Sequence, residues 1–134
     1  MAHWLLKSEP FKYSWDQMVK DGRTHWDGVR NHQAAANLKA MRVGDTAFFY
    51  HSNEGKEIVG IVEIMRESYP DPSDDAGRFV MVDVSPVQAV KVPVTLAQMK
   101  VDAALVDLAL IRQSRLSVVP ISDAHWAHIM DLAG

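Results

Sequence analysis

The 134-residue sequence contains no cysteine. That absence removes disulfides, thiolate nucleophiles and any cysteine-ligated zinc or iron–sulfur site, and it fits a reducing intracellular setting: cytoplasmic, or nuclear in a eukaryote. Long hydrophobic runs are missing too. None approaches the roughly 18 apolar residues of a membrane-spanning helix, and Lys7 brings in charge before a signal-peptide core has formed, so no membrane partner is expected. Neither Gly-x-x-x-x-Gly-Lys-Ser/Thr nor Gly-x-Gly-x-x-Gly occurs, which excludes the phosphate-cradling nucleotide enzymes, and no Gly-x-Ser-x-Gly elbow presents a serine nucleophile.

Positive charge is also in short supply. Fourteen Lys and Arg face seventeen Asp and Glu, a net charge of -3; residues 1–67 carry nine of each sign, and residues 68–134 carry five basic and eight acidic side chains. A protein held on duplex DNA mainly by phosphate neutralisation normally shows a basic excess. If nucleic acid is the partner, recognition must rest on a local patch and a specific pocket.

What remains is an ordinary globular composition, 48% hydrophobic and 23% charged, in a chain of the length of one domain, residues 1–134. Residues 4–7 read as a first strand closed by Pro10. Ser14-Trp15-Asp16-Gln17 reads as a capping box opening a two-turn helix that stops at Asp21-Gly22. After a turn at residues 26–30, Asn31 can cap a second helix running through Ala34, Leu38 and Met41 to Gly44. Residues 46–50 and 58–65 are β-branched and aromatic runs separated by a polar turn, a hairpin pattern. Residues 69–77 form a Pro/Asp/Gly loop expected to be solvated. Val80, Val82 and Val84 alternate with Met81 and Asp83, and residues 87–94 continue that sheet. A capping box at Thr95–Gln98, a helix over 102–110, a closing strand over 115–119 and a terminal helix capped by Ser122 complete the chain. Strands and helices do not alternate at βαβ spacing, so the expected fold is α+β: a small, mixed, mostly antiparallel barrel with flanking short helices. Its pocket is expected between the barrel mouth and the early helices. Met65 and the edges over 87–94 leave room for a weak homodimer beside the monomer.

His125 and His128 stand three apart on the terminal helix, but only Asp131 continues that face, so no metal site is expected there. No cofactor is implied. Polar groups gather beside aromatics in three places: Lys7-Ser8-Glu9, Trp26-Asp27-Gly28-Val29-Arg30-Asn31 and Tyr50-His51-Ser52-Asn53. Each sits where a strand or helix ends, which is where binding residues concentrate. An indole, a phenol and a set of amide, hydroxyl, carboxylate and guanidinium groups suit a planar hydrogen-bonding ligand such as a nucleobase. The same residues equally fit a core role for Trp26 and Tyr50, with Glu9 bridged to Arg30 and Asn31 serving as a cap.

These three segments, in the forms Trp4-Leu5-Leu6-Lys7-Ser8-Glu9-Pro10, Trp26-Asp27-Gly28-Val29-Arg30-Asn31 and Phe48-Phe49-Tyr50-His51-Ser52-Asn53, are followed in order by Ile58-Val59-Gly60-Ile61, Tyr69-Pro70-Asp71-Pro72 and Arg115-Leu116-Ser117-Val118. Six ordered motifs, from residue 4 to about 130, resemble the EVE domain family. The resemblance implies a PUA-like pseudo-barrel, related to the YTH domain that captures a methylated base in an aromatic-walled pocket. It implies a non-catalytic module binding a base, above all a modified base, in DNA or RNA. In that reading Lys7, Ser8 and Glu9 line the base edge, Trp26 is a stacking wall near Val29, Arg30 and Asn31, and Tyr50, His51, Ser52 and Asn53 form another rim. Arg115 and Ser117 are candidates for phosphate contact. The sequence departs from the family's pattern at His32, at Ala35-Ala36 and at Phe79, where relatives often carry an aromatic residue, an Arg-Asn pair and a Trp; the local positive charge is lower for it. The alternatives are a hydrolase acting on a nucleotide-like small molecule in the same pocket, and a peptide-binding module.

Overall fold

The protein is described here as a computed structural model of residues 2–134; Met1, the first residue of the expected domain, lies outside the described residues. The chain runs β1 (His3–Ser8), α1 (Trp15–Asp21), β2 (Thr24–Trp26), α2 (His32–Ala40), β3 (Thr46–His51), β4 (Glu57–Pro70), β5 (Val80–Thr95), α3 (Leu96–Lys100), a 3-10 turn (Ala103–Leu105), α4 (Ala109–Arg112), β6 (Val118–Ile121) and α5 (Asp123–Leu132). The six strands make one sheet in the order β2-β5-β4-β3-β1-β6. β1 and β3 are parallel and every other pairing is antiparallel. This is the mixed, mostly antiparallel α+β architecture that the residue patterns point to.

The parallel pair lies at the centre of the core. Leu5, Leu6, Phe48 and Phe49 are fully buried, and their unbroken apolar runs are what a strand covered on both faces requires. β4 and β5 are longer than the short runs expected, 14 and 16 residues. Their ladder shifts register at four places, between Ile58 and Gly60, Ile61 and Val62, Ile64 and Arg66, and Arg66 and Tyr69. Such bulges bend a strand and raise its twist, so one strand pair can wrap around the core. Gly60 sits at the first shift because a Cβ there would lie 2.5 Å from the Trp15 ring.

Local departures from expectation have identifiable causes. Ser14 Oγ accepts the Gln17 N–H at 3.1 Å, but the Gln17 side chain donates to Asp21 Oδ1 at 2.8 Å, so half of that capping box forms; at Thr95 and Gln98 both halves form. α2 ends at Met41, short of Gly44, because Asp45 Oδ2 takes the Arg42 N–H at 3.0 Å together with Trp4 Nε1 at 3.1 Å. The helix expected over 102–110 breaks into the 3-10 turn and α4. Leu105, Leu108 and Leu110 are all buried, and a continuous helix turning 100° per residue would swing Leu110 away from the other two. The closing strand is Val118–Ile121: these residues pair with Leu6 to His3, and Pro120 is tolerated because β6 is an edge. β2 is a three-residue strand where the residue pattern suggests only a turn; it pairs with Val84, Asp83 and Val82 of β5. Trp126, half-buried on α5, stacks on Phe48 and on His3. His128 Nε2 lies 2.6 Å from Asp102 Oδ2. No described helix is long and apolar enough to cross a membrane.

Candidate functional site

The pairing of β1 with its two neighbours assembles the site. Lys7 is level with Tyr50 and Ser8 with His51 on parallel strands, so both strand-end segments leave the sheet at the same end. The Ser52 N–H donates to the Ser8 carbonyl at 2.9 Å, and on the other flank the Lys7 N–H donates to the Ser117 carbonyl at 3.0 Å. Trp26, at the end of β2, comes to the same place. Between these segments lies a cavity of ≈ 440 Å³, within the roughly 300–1,000 Å³ range of small-ligand sites. Of the residues singled out from the sequence, it is lined by Lys7, Ser8, Glu9, Trp26, Val29, Arg30 and Ser117.

Trp26 is buried, 9% exposed, and held edge-on by Tyr13 and Phe49 at ring distances of 6.4 and 5.7 Å. It therefore presents a fixed strip of ring to the cavity. Burial pushes the Lys7 ammonium below its usual range, and its Nζ donates to the Ser114 carbonyl at 2.8 Å. The Ser8 hydroxyl donates to the Tyr13 carbonyl. Glu9 Oε1 accepts Asn53 Nδ2 at 2.8 Å; its Oε2 is buried with no hydrogen-bond donor, although the Lys12 ammonium stands 3.2 Å away outside bonding geometry.

The floor on the Trp26 side is fixed by Asp71. This carboxylate belongs to the loop expected to be solvated, yet it is 2% exposed. Its Oδ2 accepts the Gly28 N–H at 2.9 Å and Arg30 Nη1 at 3.2 Å, and its Oδ1 accepts the Ser73 N–H and hydroxyl at 2.8 and 2.6 Å. Burial works to raise its pKa, but the Ser73, Gly28 and Arg30 donors outweigh it and hold the carboxyl at about 2. Arg30 is thus bridged to Asp71 and not to Glu9, with Nη2 donating to Ser73 Oγ at 2.9 Å and its guanidinium over the Phe79 ring. Gly28 has φ +76, a backbone that side chains rarely adopt, and this conformation aims its N–H at Asp71.

The other sequence candidates lie outside the cavity lining. Asn31 caps α2, its Oδ1 accepting the Ala34 N–H at 2.9 Å. Tyr50 is buried, its phenol pushed up to about 12 by burial. His51 accepts the Trp15 N–H on Nε2 at 3.1 Å, which requires the unprotonated nitrogen, and burial lowers its pKa accordingly. Ser52 makes a backbone link, and Asn53 donates its side-chain amide to Glu9. Arg115 is exposed in a neighbouring groove with Asn31, Gln33 and Gln113.

Asp27 and Gly28 of the 26–31 segment also line the cavity, as do Lys12, Tyr13, Thr24 and His25, which lie outside the three segments that the residue pattern singles out. Two signals were present: Lys12-Tyr13 follows Glu9 closely, and Thr24-His25 immediately precedes Trp26. His25 Nδ1 lies 3.0 Å from Asp83 Oδ1, which also accepts the Tyr69 hydroxyl, while Asp83 Oδ2 accepts Arg23 at 3.0 Å. Burial opposes ionisation of Asp83, but the Tyr69, His25 and Arg23 donors prevail and hold it at about 2. Among the described residues no group of three or more His, Asp or Glu is arranged to hold a metal.

The chain is 33% identical to human thymocyte nuclear protein 1 over 98% of its own length and 73% of that protein's. The NMR structure of Rpa0253 from Rhodopseudomonas palustris matches with a TM-score of 0.95 at 53% identity, covering 100% of this chain and 94% of that one. The crystal structure of human THYN1 protein in complex with 5-methylcytosine containing DNA matches with a TM-score of 0.92 at 32% identity, covering 99% and 98%. An ASCH protein from Zymomonas mobilis, 9% identical with a TM-score of 0.61 over 97% and 94% of the two chains, shares the PUA-like fold alone. The EVE domain model matches residues 2–132, and with these relatives it places the chain in the EVE domain family.

Proposed function

We propose that this protein is a non-catalytic module that binds a modified base of a nucleic acid, DNA in the first instance, in the cavity between β1, β2 and the 27–30 segment. The observation that carries the reading is the shared lining: an immobilised tryptophan strip, Trp26, and the polar strand end Lys7-Ser8-Glu9 bound one cavity of ≈ 440 Å³. A base presents an apolar face and a polar edge, and this cavity offers a complement to each. Extruding a base from a duplex loses its stacking, and an aromatic wall returns about 1–3 kcal/mol per base. The 5-methylcytosine DNA bound by the human relative supports the same ligand class here.

The geometry favours binding over turnover. The Ser8 hydroxyl is engaged with a backbone carbonyl, and among the described residues no hydrogen bond joins a cavity hydroxyl of Ser8, Ser117 or Thr24 to an imidazole. An activated nucleophile needs such a base. Arg115 and Ser117 are proposed to meet the phosphates flanking the base, Ser117 from the cavity wall and Arg115 from the adjoining groove.

The test is a fluorescence-anisotropy titration with labelled single- and double-stranded oligonucleotides carrying cytosine or 5-methylcytosine, in DNA and RNA forms. Tighter binding of a modified-base DNA, weakened in Trp26→Leu with the far-UV spectrum unchanged, is expected. Equal affinity for modified and plain oligonucleotides, or none for any, defeats the reading.

A further inference from the structure

Glu9 stands out chemically in the cavity. Its Oε2 is buried and accepts no hydrogen bond, while every other buried side-chain nitrogen or oxygen among the described residues has a partner. Its one neighbour of opposite charge among the described residues is the Lys12 ammonium, an ion pair at 3.2 Å on a Glu9 side chain that is 30% exposed; a buried acceptor short of a hydrogen bond beside a cavity has capacity for a ligand donor. The carboxylate is also positioned. Asn53, in the β3–β4 turn with φ 65, one of two non-glycine residues there at positive φ, donates Nδ2 to Glu9 Oε1 at 2.8 Å. Asparagine tolerates this backbone better than most side chains, so the turn aims an amide at one carboxylate oxygen and leaves the other for a ligand. The Lys12 ammonium, 3.2 Å from Oε2, is on a side chain 71% exposed and free to swing away.

We infer that Glu9, oriented by Asn53, is the specificity-determining group of the cavity and restricts it to bases that present an exocyclic amine, cytosine-type over thymine- or uracil-type. The inference rests on the proposed base-binding function. A carboxylate accepts from the N4 amine of cytosine. The keto oxygen that replaces this amine in thymine would set two acceptors against each other and leave Oε2 unsatisfied. Lys12, displaced from Oε2 by the amine, becomes available for a phosphate on the same strand.

5-Methylcytosine and thymine are near-isosteres that differ in the amine-to-keto exchange and the N3 proton, so one pair of oligonucleotides isolates the claim. Wild-type protein is expected to bind the 5-methylcytosine DNA oligonucleotide roughly 5- to 150-fold tighter than the same oligonucleotide with thymine at that position. In Glu9→Gln the amide can donate to the keto oxygen, and the ratio is expected to fall to about one or invert. Asn53→Ala is expected to reduce the ratio by weakening the 5-methylcytosine complex alone, an effect that general destabilisation would not produce. A third arm needs no variant: an oligonucleotide carrying N4,N4-dimethyl-5-methylcytosine has no N4 donor and is expected to bind wild-type protein as weakly as thymine does. Binding of all three oligonucleotides with equal affinity by wild-type protein, or an unchanged ratio in a folded Glu9→Gln, overturns the role of Glu9 while base binding stands. Binding of none overturns the function on which the role rests.

Discussion

Asp71 and Gly28, 43 residues apart in the chain, are joined by a 2.9 Å hydrogen bond from the glycine N–H to the buried carboxylate. The bond ties the loop between β4 and β5 to the segment that carries Val29 and Arg30 into the cavity. Replacing Asp71 with Asn retains the volume but removes the charge, and turns one acceptor oxygen into a donor. Either the Gly28 and Arg30 pair or the Ser73 pair then faces an N–H. The expected outcome is a loss of about 2–4 kcal/mol in urea unfolding at neutral pH, with base binding weakened beyond what lost stability explains. A stability change below about 0.5 kcal/mol would show that the loop anchors nothing.

The same carboxylate, with Asp83, sets an acid limit. Both have folded-state pKa values of about 2, against an ordinary value of 3.8. The folded value is the lower one, so the unfolded chain takes up protons first as pH falls. Each group therefore contributes stability that is fully present above about pH 5 and is lost progressively down to about pH 2. The shift corresponds to about 2 kcal/mol per group. Urea midpoints measured from pH 5 to pH 2.5 should fall steeply, and Asp71→Asn should flatten that slope while lowering the neutral-pH midpoint. An equal slope in wild type and variant would mean that other carboxylates govern acid unfolding.

Much of this was legible in the residues because local rules and tertiary demands agree there. The apolar runs Leu5-Leu6 and Phe48-Phe49 read as buried strands and are, and Asn31, Thr95 and Ser122 read as helix caps and accept the expected N–H groups. What failed to read depended on partners distant in sequence. Asp71 looks like part of a solvated acidic loop until Gly28, Arg30 and Ser73 surround it. β2 is too short to show alternation and exists because β5 offers it a ladder. The site divides the same way. Strand ends of β1 predict lining residues well, whereas Tyr50 and His51 sit on a strand whose side chains point into the core or cap α1, which no local pattern reveals.

Gly60 tests the bent ladder. A Cβ at this position would stand 2.5 Å from two atoms of the Trp15 ring, itself packed edge-on against Phe49 at 5.5 Å. Trp15 is 8% exposed, and its packing on Phe49 opposes the shift of the ring toward the groove it lines with Val19 and Pro86 that an added Cβ would require. Gly60→Ala is expected to cost about 1–3 kcal/mol in thermal or urea unfolding, against the normal gain in strand propensity on replacing glycine. A neutral or stabilising result would show that the indole can shift without strain. Gly60→Ala combined with Trp15→Phe, which shortens the ring system, should recover part of the loss.

Trp26 gives an optical readout of the cavity. The protein has four tryptophans; Trp4 is bonded to Asp45, Trp15 lies under Gly60, Trp126 stacks on His3 and Phe48, and Trp26 alone of them lines the cavity. A base stacked on it should quench its emission, whereas a base held in this cavity does not touch the other three, which lie outside its lining. Trp26→Phe keeps an aromatic edge against Tyr13 and Phe49 and is expected to cost less than the roughly 3–5 kcal/mol of a truncation to Ala. With saturating 5-methylcytosine oligonucleotide, wild-type emission should drop, and in Trp26→Phe the change should vanish while anisotropy still reports binding, weakened by up to about tenfold through the smaller ring. Persistence of the full quench in Trp26→Phe would place the bound base against a different tryptophan, and so outside this cavity.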